Sequence, residues 1–242
     1  MRRTSPHSSA LLLFTYPTWR RSQLIESSRV PDASVYRLSL YHCYLGEAIR
    51  TGSAGRITSS QLAEELGIKE ETVRRDISFI GGVGRPGSGY QSDTLFAALT
   101  DFLGLIDDYP IIKIGSAQML SALRVVFPAH SYGVLPVGYY SELPEDVGKV
   151  VNNLEIKHIT DLPKIDRTLG ISVALVACSP GWVQMVIDLL DQAGITGVLL
   201  LTPAIKLKRP EGMQINHVRM PCDIKSLACR CQIPAIRDVV GS

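Results

Sequence analysis

From Ile111 onward, the chain alternates short apolar runs with longer segments of helical spacing. The apolar runs predict strands at Ile111–Ile114, Val134–Tyr140, Ile156–Ile159, Ile171–Ala177 and Val198–Leu201, with a return strand near Gln214–Val218. Helical spacing falls between them at Ser116–Phe127 and Gly181–Ala193. Strands that alternate with helices form a parallel, doubly wound sheet. Each helix carries the chain back to the end of the sheet where the previous strand began, so the next strand runs in the same direction. The second half of the chain is therefore expected to be an α/β domain.

The first half has a different pattern, that of a helix-turn-helix. Thr58 and Gln61 have the spacing of a capping box, and Gly67 ends the short helix that follows. The next helix turns its apolar positions inward and exposes Arg74, Arg75 and Ser78. A glycine-rich stretch, GGVGRPGSGYQS, then resembles a β-hairpin wing. Together these elements predict a winged helix that binds double-stranded DNA.

The predicted DNA-contacting residues lie within this segment. They are Arg56, Ser60, Lys69, Thr72, Arg74, Arg75, Ser78, Arg85, Gly87, Ser88 and Tyr90. The alternative is a surface helical hairpin followed by a linker. Carboxylates in the same segment favour that alternative unless they point away from the duplex: Glu64, Glu65, Glu70, Glu71 and Asp76.

Several longer motifs resemble the Rex redox-sensing transcriptional repressors. They are RLSLYHCYL, ITSSQLAEELGIKEETVRRDISFIGGVGRPGSGY, LGLIDDYPIIKIGS, DQAGITGVLLLTPAIKLKRPEGMQINHV and IKSLA. The resemblance runs from about Val30 to Ala228. It implies a homodimer with a winged helix and a Rossmann domain, an operator with two half-sites, release of DNA by NADH, and repression with NAD⁺. It also matches Arg74 and Arg75 to the family's recognition-helix arginines, and it implies that the C-terminal helix is exchanged between subunits. The family's wing is matched by Arg85, Gly87, Gly89 and Tyr90.

The predicted fold class is an α+β winged-helix domain followed by an α/β Rossmann domain. The expected segments are a disordered tail or mis-assigned start at 1–30, the winged helix at 31–91, a linker helix and connection at 92–109, the Rossmann domain at 110–222, and a C-terminal dimerisation helix and tail at 223–242. Pro234 is expected to interrupt the last helix, because proline lacks the backbone N–H that a helix interior uses.

The resemblance implies an NAD(H) site, and the expected cofactor is NAD(H) without a metal. The candidate residues are Gly115, Ser116, Ala117, Gln118, Met119, Leu120, Ser141, Cys178, Ser179 and Pro180. A dinucleotide turn carries three glycines and is followed by an acidic residue that binds the ribose. Here Ala117 and Leu120 occupy the second and third glycine positions, and Ser141 occupies the acidic position. Glu142 is adjacent, but strand alternation directs it the other way.

These departures predict weak or absent release of DNA by NADH, with another ligand or none in its place. The alternative is that NAD(H) still binds through backbone contacts. The Rex family also pairs an arginine of the first helix with an aspartate near the last strand, and the matching positions here are Cys43 and Arg219. The segment Leu200–Pro203 departs from the family as well. Two other functions stay open, a Rossmann oxidoreductase and a nucleotide- or CoA-binding module without DNA activity. Catalysis is not expected, because His130 and His158 lie in no recognisable catalytic motif.

Composition adds limits on partners and compartment. The net charge of +2 excludes an overall polycation but allows a local basic patch. Five cysteines without a paired spacing predict reduced thiols and a cytoplasmic protein. Cys229, Cys231 and His217 lack the spacing and the fourth ligand of a zinc site. No apolar run is long enough to suggest a membrane span.

Overall fold

The computed structural model describes residues 30–81, 89–105, 108–128 and 132–240, with side chains up to Cys231. The predicted tail, apart from its last residue, lies outside these ranges, and so do Arg85, Gly87 and Ser88 of the predicted wing. The chain divides into two compact units. The N-terminal unit runs to Tyr109 and includes the short segment that ends at Gly133, and the sheet unit takes the remainder.

The described part of the N-terminal unit contains four helices and one short antiparallel strand pair. They are α1 (Asp32–Arg50), β1 (Arg56–Ile57), α2 (Ser59–Leu66), α3 (Glu70–Ser78), β2 (Tyr90–Gln91) and α4 (Ser92–Phe102). The predicted capping box is confirmed: the Thr58 hydroxyl accepts from Gln61 N, and the Gln61 side chain accepts from Thr58 N. Gly67 ends α2 with φ of 63°. These two signals place the tight turn between α2 and α3.

Helix α4 belongs to the same core as the helix-turn-helix. Its Leu95 and Leu99 are fully buried in one cluster with Leu38, Leu62 and Val73. The sequence predicts a linker helix and connection at residues 92–109. The structure instead makes α4 an integral packing element of the N-terminal unit, because the apolar stripe that suggested a helix is covered by α1.

A buried carboxylate ties α3 to α1. Asp76 accepts from Arg37 Nε at 2.6 Å, from Arg37 Nη2 at 2.8 Å and from the Tyr41 hydroxyl at 2.9 Å. Burial alone would raise the pKa of Asp76, but hydrogen bonds from Arg37, Ser34 and Tyr41 outweigh burial and hold the pKa below its ordinary value. Asp76 therefore stays ionised inside the core and fixes the position of α3.

The sheet unit has the predicted alternation of strands and helices. Its elements are β3 (Tyr109–Gly115), α5 (Ala117–Val126), β4 (Val134–Ser141), β5 (Val150–Val151), β6 (Leu154–His158), β7 (Val173–Ala177), α6 (Val183–Ala193), β8 (Gly197–Leu200), β9 (Gln214–His217) and α7 (Met220–Val240). Short 3₁₀ turns lie at Pro144–Asp146, Ile159–Lys164, Arg167–Leu169 and Pro180–Trp182.

Within the described ranges, seven strands form one sheet in the order β5-β6-β4-β3-β7-β8-β9. The pairs β4–β6, β3–β7, β7–β8 and β8–β9 are parallel, and β5 is antiparallel to β6. Without the short edge strand β5, this is the strand order of a dinucleotide-binding Rossmann sheet. The predicted fold class is confirmed. In such a sheet the ligand crevice lies where the strand order reverses, between β3 and β7.

The C-terminal helix differs from the prediction. It begins at Met220, before the expected Asp223, and it continues through Pro234 to Val240. The expectation that Pro234 interrupts it was wrong. A proline removes one backbone hydrogen bond, and the bonds on either side of it can keep the helix continuous with a local bend. In the described part of the chain, no helix is both long and apolar enough to cross a membrane.

We predict that Asp76→Asn lowers the free energy of unfolding by about 3–5 kcal/mol, because it leaves the Arg37 charge without its buried partner. Urea denaturation measures the change. Glu47→Gln, which breaks an exposed pair with Arg50, is the control and should leave stability nearly unchanged.

The same variant has a defined pH dependence. Because the folded-state pKa of Asp76 lies below the unfolded value of 3.8, the carboxylate contributes fully at neutral pH, and its contribution is lost as the pH falls through the folded-state pKa. The difference between the two proteins should therefore shrink in acid. A constant difference down to the acid transition would contradict the role given to this ion pair.

Candidate functional site

The exposed face of α3 carries the predicted DNA-contacting side chains. Arg74, Arg75 and Ser78 are exposed, while Val73 and Ile77 on the opposite side are buried. The Arg74 guanidinium pairs with Glu70 one turn earlier. The Ser78 hydroxyl donates to the Arg75 carbonyl at 2.6 Å, so Ser78 is partly committed to its own helix. Arg75 is also exposed, and among the described residues its guanidinium has no hydrogen-bond or ion-pair partner.

The remaining predicted DNA contacts fall into two groups. Three are exposed: Arg56 in β1, Ser60 in the first turn of α2, and Lys69 directly before α3. Thr72 and Tyr90 are half-buried, and the Tyr90 hydroxyl lies 3.2 Å from Ser59 Oγ while its ring packs on the core. The structure therefore gives Tyr90 a packing role as well as its predicted place in the wing.

Gly89 lies towards the C-terminal end of the predicted wing, directly before β2, at a position that requires glycine. Its φ is +67°, and a Cβ there would lie 2.8 Å from the Ile57 carbonyl oxygen. A larger residue would separate β2 from β1. Of the carboxylates that weighed against DNA binding, Asp76 is on the buried side of α3 and Glu70 is paired with Arg74. Glu64, Glu65 and Glu71 remain exposed.

The candidate nucleotide site lies at the carboxyl ends of β3, β4 and β7. Gly115 ends β3 opposite Ala177 of β7, and a Cβ on Gly115 would lie 3.0 Å from the Ala177 carbonyl oxygen. Only glycine allows this approach without a shift. The expected turn then follows: Ser116 caps α5 by accepting from Met119 N at 3.2 Å. Gln118 and Met119 are exposed at the first turn of the helix.

Leu120, at the third glycine position, lies inside the molecule. It is fully buried and forms a cluster with Tyr139 and Ile156, against which Ala117 packs in part. Helix α5 begins immediately after the turn despite this bulk. Leu120 therefore packs α5 against the sheet through its side chain. In a turn with three glycines, the backbones of helix and strand would instead approach each other directly.

Ser141, at the ribose-acid position, is fully buried beside another acid. Its hydroxyl donates to Asp146 Oδ2 at 3.3 Å, and the same oxygen accepts from Ala117 N at 2.8 Å. Lys149 Nζ binds the other oxygen of Asp146 at 2.7 Å. The Lys149 ammonium, and next the Ala117 N–H, lower the pKa of Asp146, so it is a carboxylate. An aspartate at 141 would therefore face a buried like charge.

The sequence prediction missed Asp146 and discounted Glu142. Glu142 is buried and crosses to the loop after β7, where its Oε1 accepts from Ser179 N at 2.8 Å and from Ser179 Oγ at 2.9 Å. It does diverge from Ser141, as alternation predicted, yet both side chains stay at the same edge of the sheet. A signal was present in the sequence, because both acids lie in the segment that directly follows β4.

Cys178 is the first residue of the same loop, directly after β7. It is buried, and its carbonyl accepts from Thr202 Oγ1 at 2.6 Å. Burial, and next the charge of Glu142, raise the pKa of the Cys178 thiol to about 12. The thiol is therefore neutral and unreactive at physiological pH. Ser179 and Pro180, the other candidates here, are exposed.

Comparison with known proteins decides the family. A family described as "Putative DNA-binding protein N-terminus" matches residues 29–78. The redox-sensing transcriptional repressor Rex of Streptomyces coelicolor is 31% identical over 202 residues, which cover 84% of this chain and 78% of the relative.

The chain belongs to the Rex family.

Solved Rex structures have the same fold. RSP, a Rex-family repressor, in complex with β-NADH has a TM-score of 0.74 at 24% identity and covers 88% of this chain and 99% of its own. RSP in complex with β-NAD⁺ and operator DNA has a TM-score of 0.72 at 25% identity and covers 88% and 97%. The resemblance that the sequence motifs indicated is confirmed, and so is the pairing of a DNA-binding region with a Rossmann sheet.

We predict that Leu120→Gly, which restores the third glycine, destabilises the protein by about 3–6 kcal/mol, because it removes a fully buried side chain and places glycine in a helix. Met119→Gly is the matched control, since Met119 is 41% exposed in the same turn, and it should lose only about 1 kcal/mol. Thermal and urea unfolding measure both. Equal losses would show that Leu120 is not a core residue.

Proposed function

We propose that this protein is a transcriptional repressor that binds operator DNA through the exposed face of α3 and the segment that follows it. The observation that carries the proposal is an arginine-bearing second helix of a helix-turn-helix, in a chain that belongs to the Rex family. Support comes from RSP, a neighbour of the same fold solved with operator DNA. In this proposal α3 lies in the major groove, and Arg75 reads base edges.

We infer that DNA binding responds to NADH and NAD⁺ through the crevice between β3 and β7. Two features of this chain fit a dinucleotide. The crevice occupies the point where the strand order reverses, and Glu142 presents a buried acceptor there. Ser141 lacks the charge of the usual ribose acid, so the Ser141 side chain by itself is a weaker acceptor for a ribose hydroxyl than a carboxylate would be.

We propose a regulatory rather than a catalytic role for this sheet. The relatives are named as repressors. Of the two histidines considered for catalysis, His130 lies outside the described residues, and His158 places Nδ1 at 2.8 Å from Thr160 Oγ1. That contact accounts for His158 as a local cap of the Ile159–Lys164 turn.

We propose that α7 joins two copies of the chain into a homodimer. The side chains from Met220 to Cys231 are all exposed in the single chain. Met220, Ile224 and Leu227 recur on one face and are 59%, 67% and 57% exposed. An apolar stripe of this kind is usually covered, and a second copy would cover it with two-fold symmetry. Two heads would then read half-sites about one helical turn apart, or a multiple of it.

The DNA proposal predicts that Arg75→Ala weakens binding to an operator selected from random duplexes by about 1–3 kcal/mol, with relaxed discrimination at one base position. Arg50→Ala, which removes the same charge from an exposed site on α1, is the control and should bind normally. Gel-shift titration measures both. Unchanged affinity of the Arg75 variant would reject α3 as the reading helix.

The same assay tests the ligand. Adding NADH to the operator complex should release DNA, and NAD⁺ at the same concentration should not. An operator complex that survives saturating NADH would overturn the redox part of the proposal and leave the DNA part intact.

The dimer proposal predicts that Ile224→Asp combined with Leu227→Asp gives monomers, because two carboxylates would enter an apolar contact. Ser226→Asp, on the opposite face of α7, should stay dimeric. Analytical ultracentrifugation separates the two states. Deletion of the residues after Met220 should also give monomers that bind DNA weakly, and a stable, fully active dimer from that deletion would contradict the proposal.

A further inference from the structure

Two buried carboxylates, Asp146 and Glu142, lie at the carboxyl end of the sheet, and they differ in how many of their oxygens accept hydrogen bonds. Asp146 is engaged on both oxygens, by Ala117 N and Ser141 Oγ on one side and by Lys149 Nζ on the other. These bonds hold the turn, the end of β4 and the following loop together. Asp146 therefore acts as the structural acid of this edge.

Glu142 is satisfied on one oxygen only. Its residue is 2% exposed, and Oε1 accepts both donors of Ser179. Oε2 is buried and has no hydrogen-bond partner among the described residues. A buried acceptor without a donor is costly and uncommon in folded proteins, and it points to a group that is missing from the free chain.

The position of Glu142 defines the group it would bind. It directly follows β4 and is tied to the loop after β7, so it spans the carboxyl end of β3 where Gly115 begins the turn. A carboxylate accepts hydrogen bonds and repels phosphate. The ribose hydroxyls are donors, and in Rossmann sites the residue that binds them lies at the end of this strand.

We propose that Glu142, rather than the residue at 141, binds the 2′-hydroxyl of the adenosine ribose of NAD(H). The proposal rests on the proposed function, since it concerns the same crevice. Ser179 holds Oε1 and thereby orients Oε2. Because Asp146 is already buried beside position 141, a second carboxylate there would be unfavourable. In this proposal the carboxylate that accepts from the ribose is therefore at position 142, where Oε2 still lacks a hydrogen-bond donor.

The test pairs a protein change with a ligand change. Isothermal titration of the full-length protein with ADP and with 2′-deoxy-ADP should show a preference for ADP of about tenfold or more, as expected for a hydrogen bond to a charged acceptor. Glu142→Gln should bind both nucleotides with equal, weakened affinity, and NADH should weaken by a similar factor. Non-additivity of the two changes identifies a direct contact.

Glu145→Gln is the matched control, because Glu145 lies in the same loop and is exposed; it should keep the preference for ADP. A melting temperature for Glu142→Gln equal to or above that of the unmodified protein is also expected, since the amide oxygen can still accept from Ser179 while an unpaired buried charge is removed. Thermal unfolding thus separates lost recognition from lost folding.

Three results would overturn the proposal: equal binding of ADP and 2′-deoxy-ADP by the unmodified protein, an undiminished preference in Glu142→Gln, or no binding of ADP or NADH at all. The first needs no variant and remains decisive if Glu142→Gln does not fold. Binding is measured without DNA. A protein that discriminates the nucleotides but does not release its operator with NADH would contradict the proposed regulation and leave the role of Glu142 standing.

Discussion

The close approach of β3 and β7 at Gly115 is the constraint on which the candidate nucleotide site depends. Parallel pairing brings Gly115 opposite Ala177, and a side chain on Gly115 would require the two strand ends to shift apart. Because β3 is the central strand of the sheet, the loops after β4 and β7 are brought to its two sides. Groups distant in the chain, such as Glu142 and Ser179, then lie within hydrogen-bonding distance.

The buried charge of Asp146 explains why position 141 of the candidate nucleotide site carries serine instead of the usual acid. Asp146 already places a carboxylate against the Ser141 hydroxyl and the first backbone N–H of α5. A second carboxylate at 141 would be buried next to the first, which is unfavourable in a site of low dielectric constant. Serine donates a hydrogen bond there instead, and so the substitution at 141 and the presence of Asp146 form one arrangement.

A buried carboxylate also stabilises the N-terminal unit. Asp76 directly follows Arg74 and Arg75 in the sequence, and its charge is paired with Arg37 on the buried side of α3 rather than exposed with the two arginines. The acid that weighed against DNA binding in the sequence thus supports the helix proposed to bind DNA. Its neighbours Glu64, Glu65 and Glu71 are still exposed, and they bias which approach of the duplex is electrostatically favourable.

Local patterns in the sequence determined the secondary structure, the strand order class and the helix-turn-helix, because periodicity, the Thr58–Gln61 capping box and Gly67 act over a few residues. Tertiary structure alone decided the burial of α4 in the first core, the continuity of α7 through Pro234, and the partners of Asp76, Asp146 and Glu142. Those outcomes depend on contacts between residues that are remote in the chain or that follow a strand end, where alternation gives no direction. A carboxylate in a loop has many possible donors in the sequence, and only packing determines which one it meets.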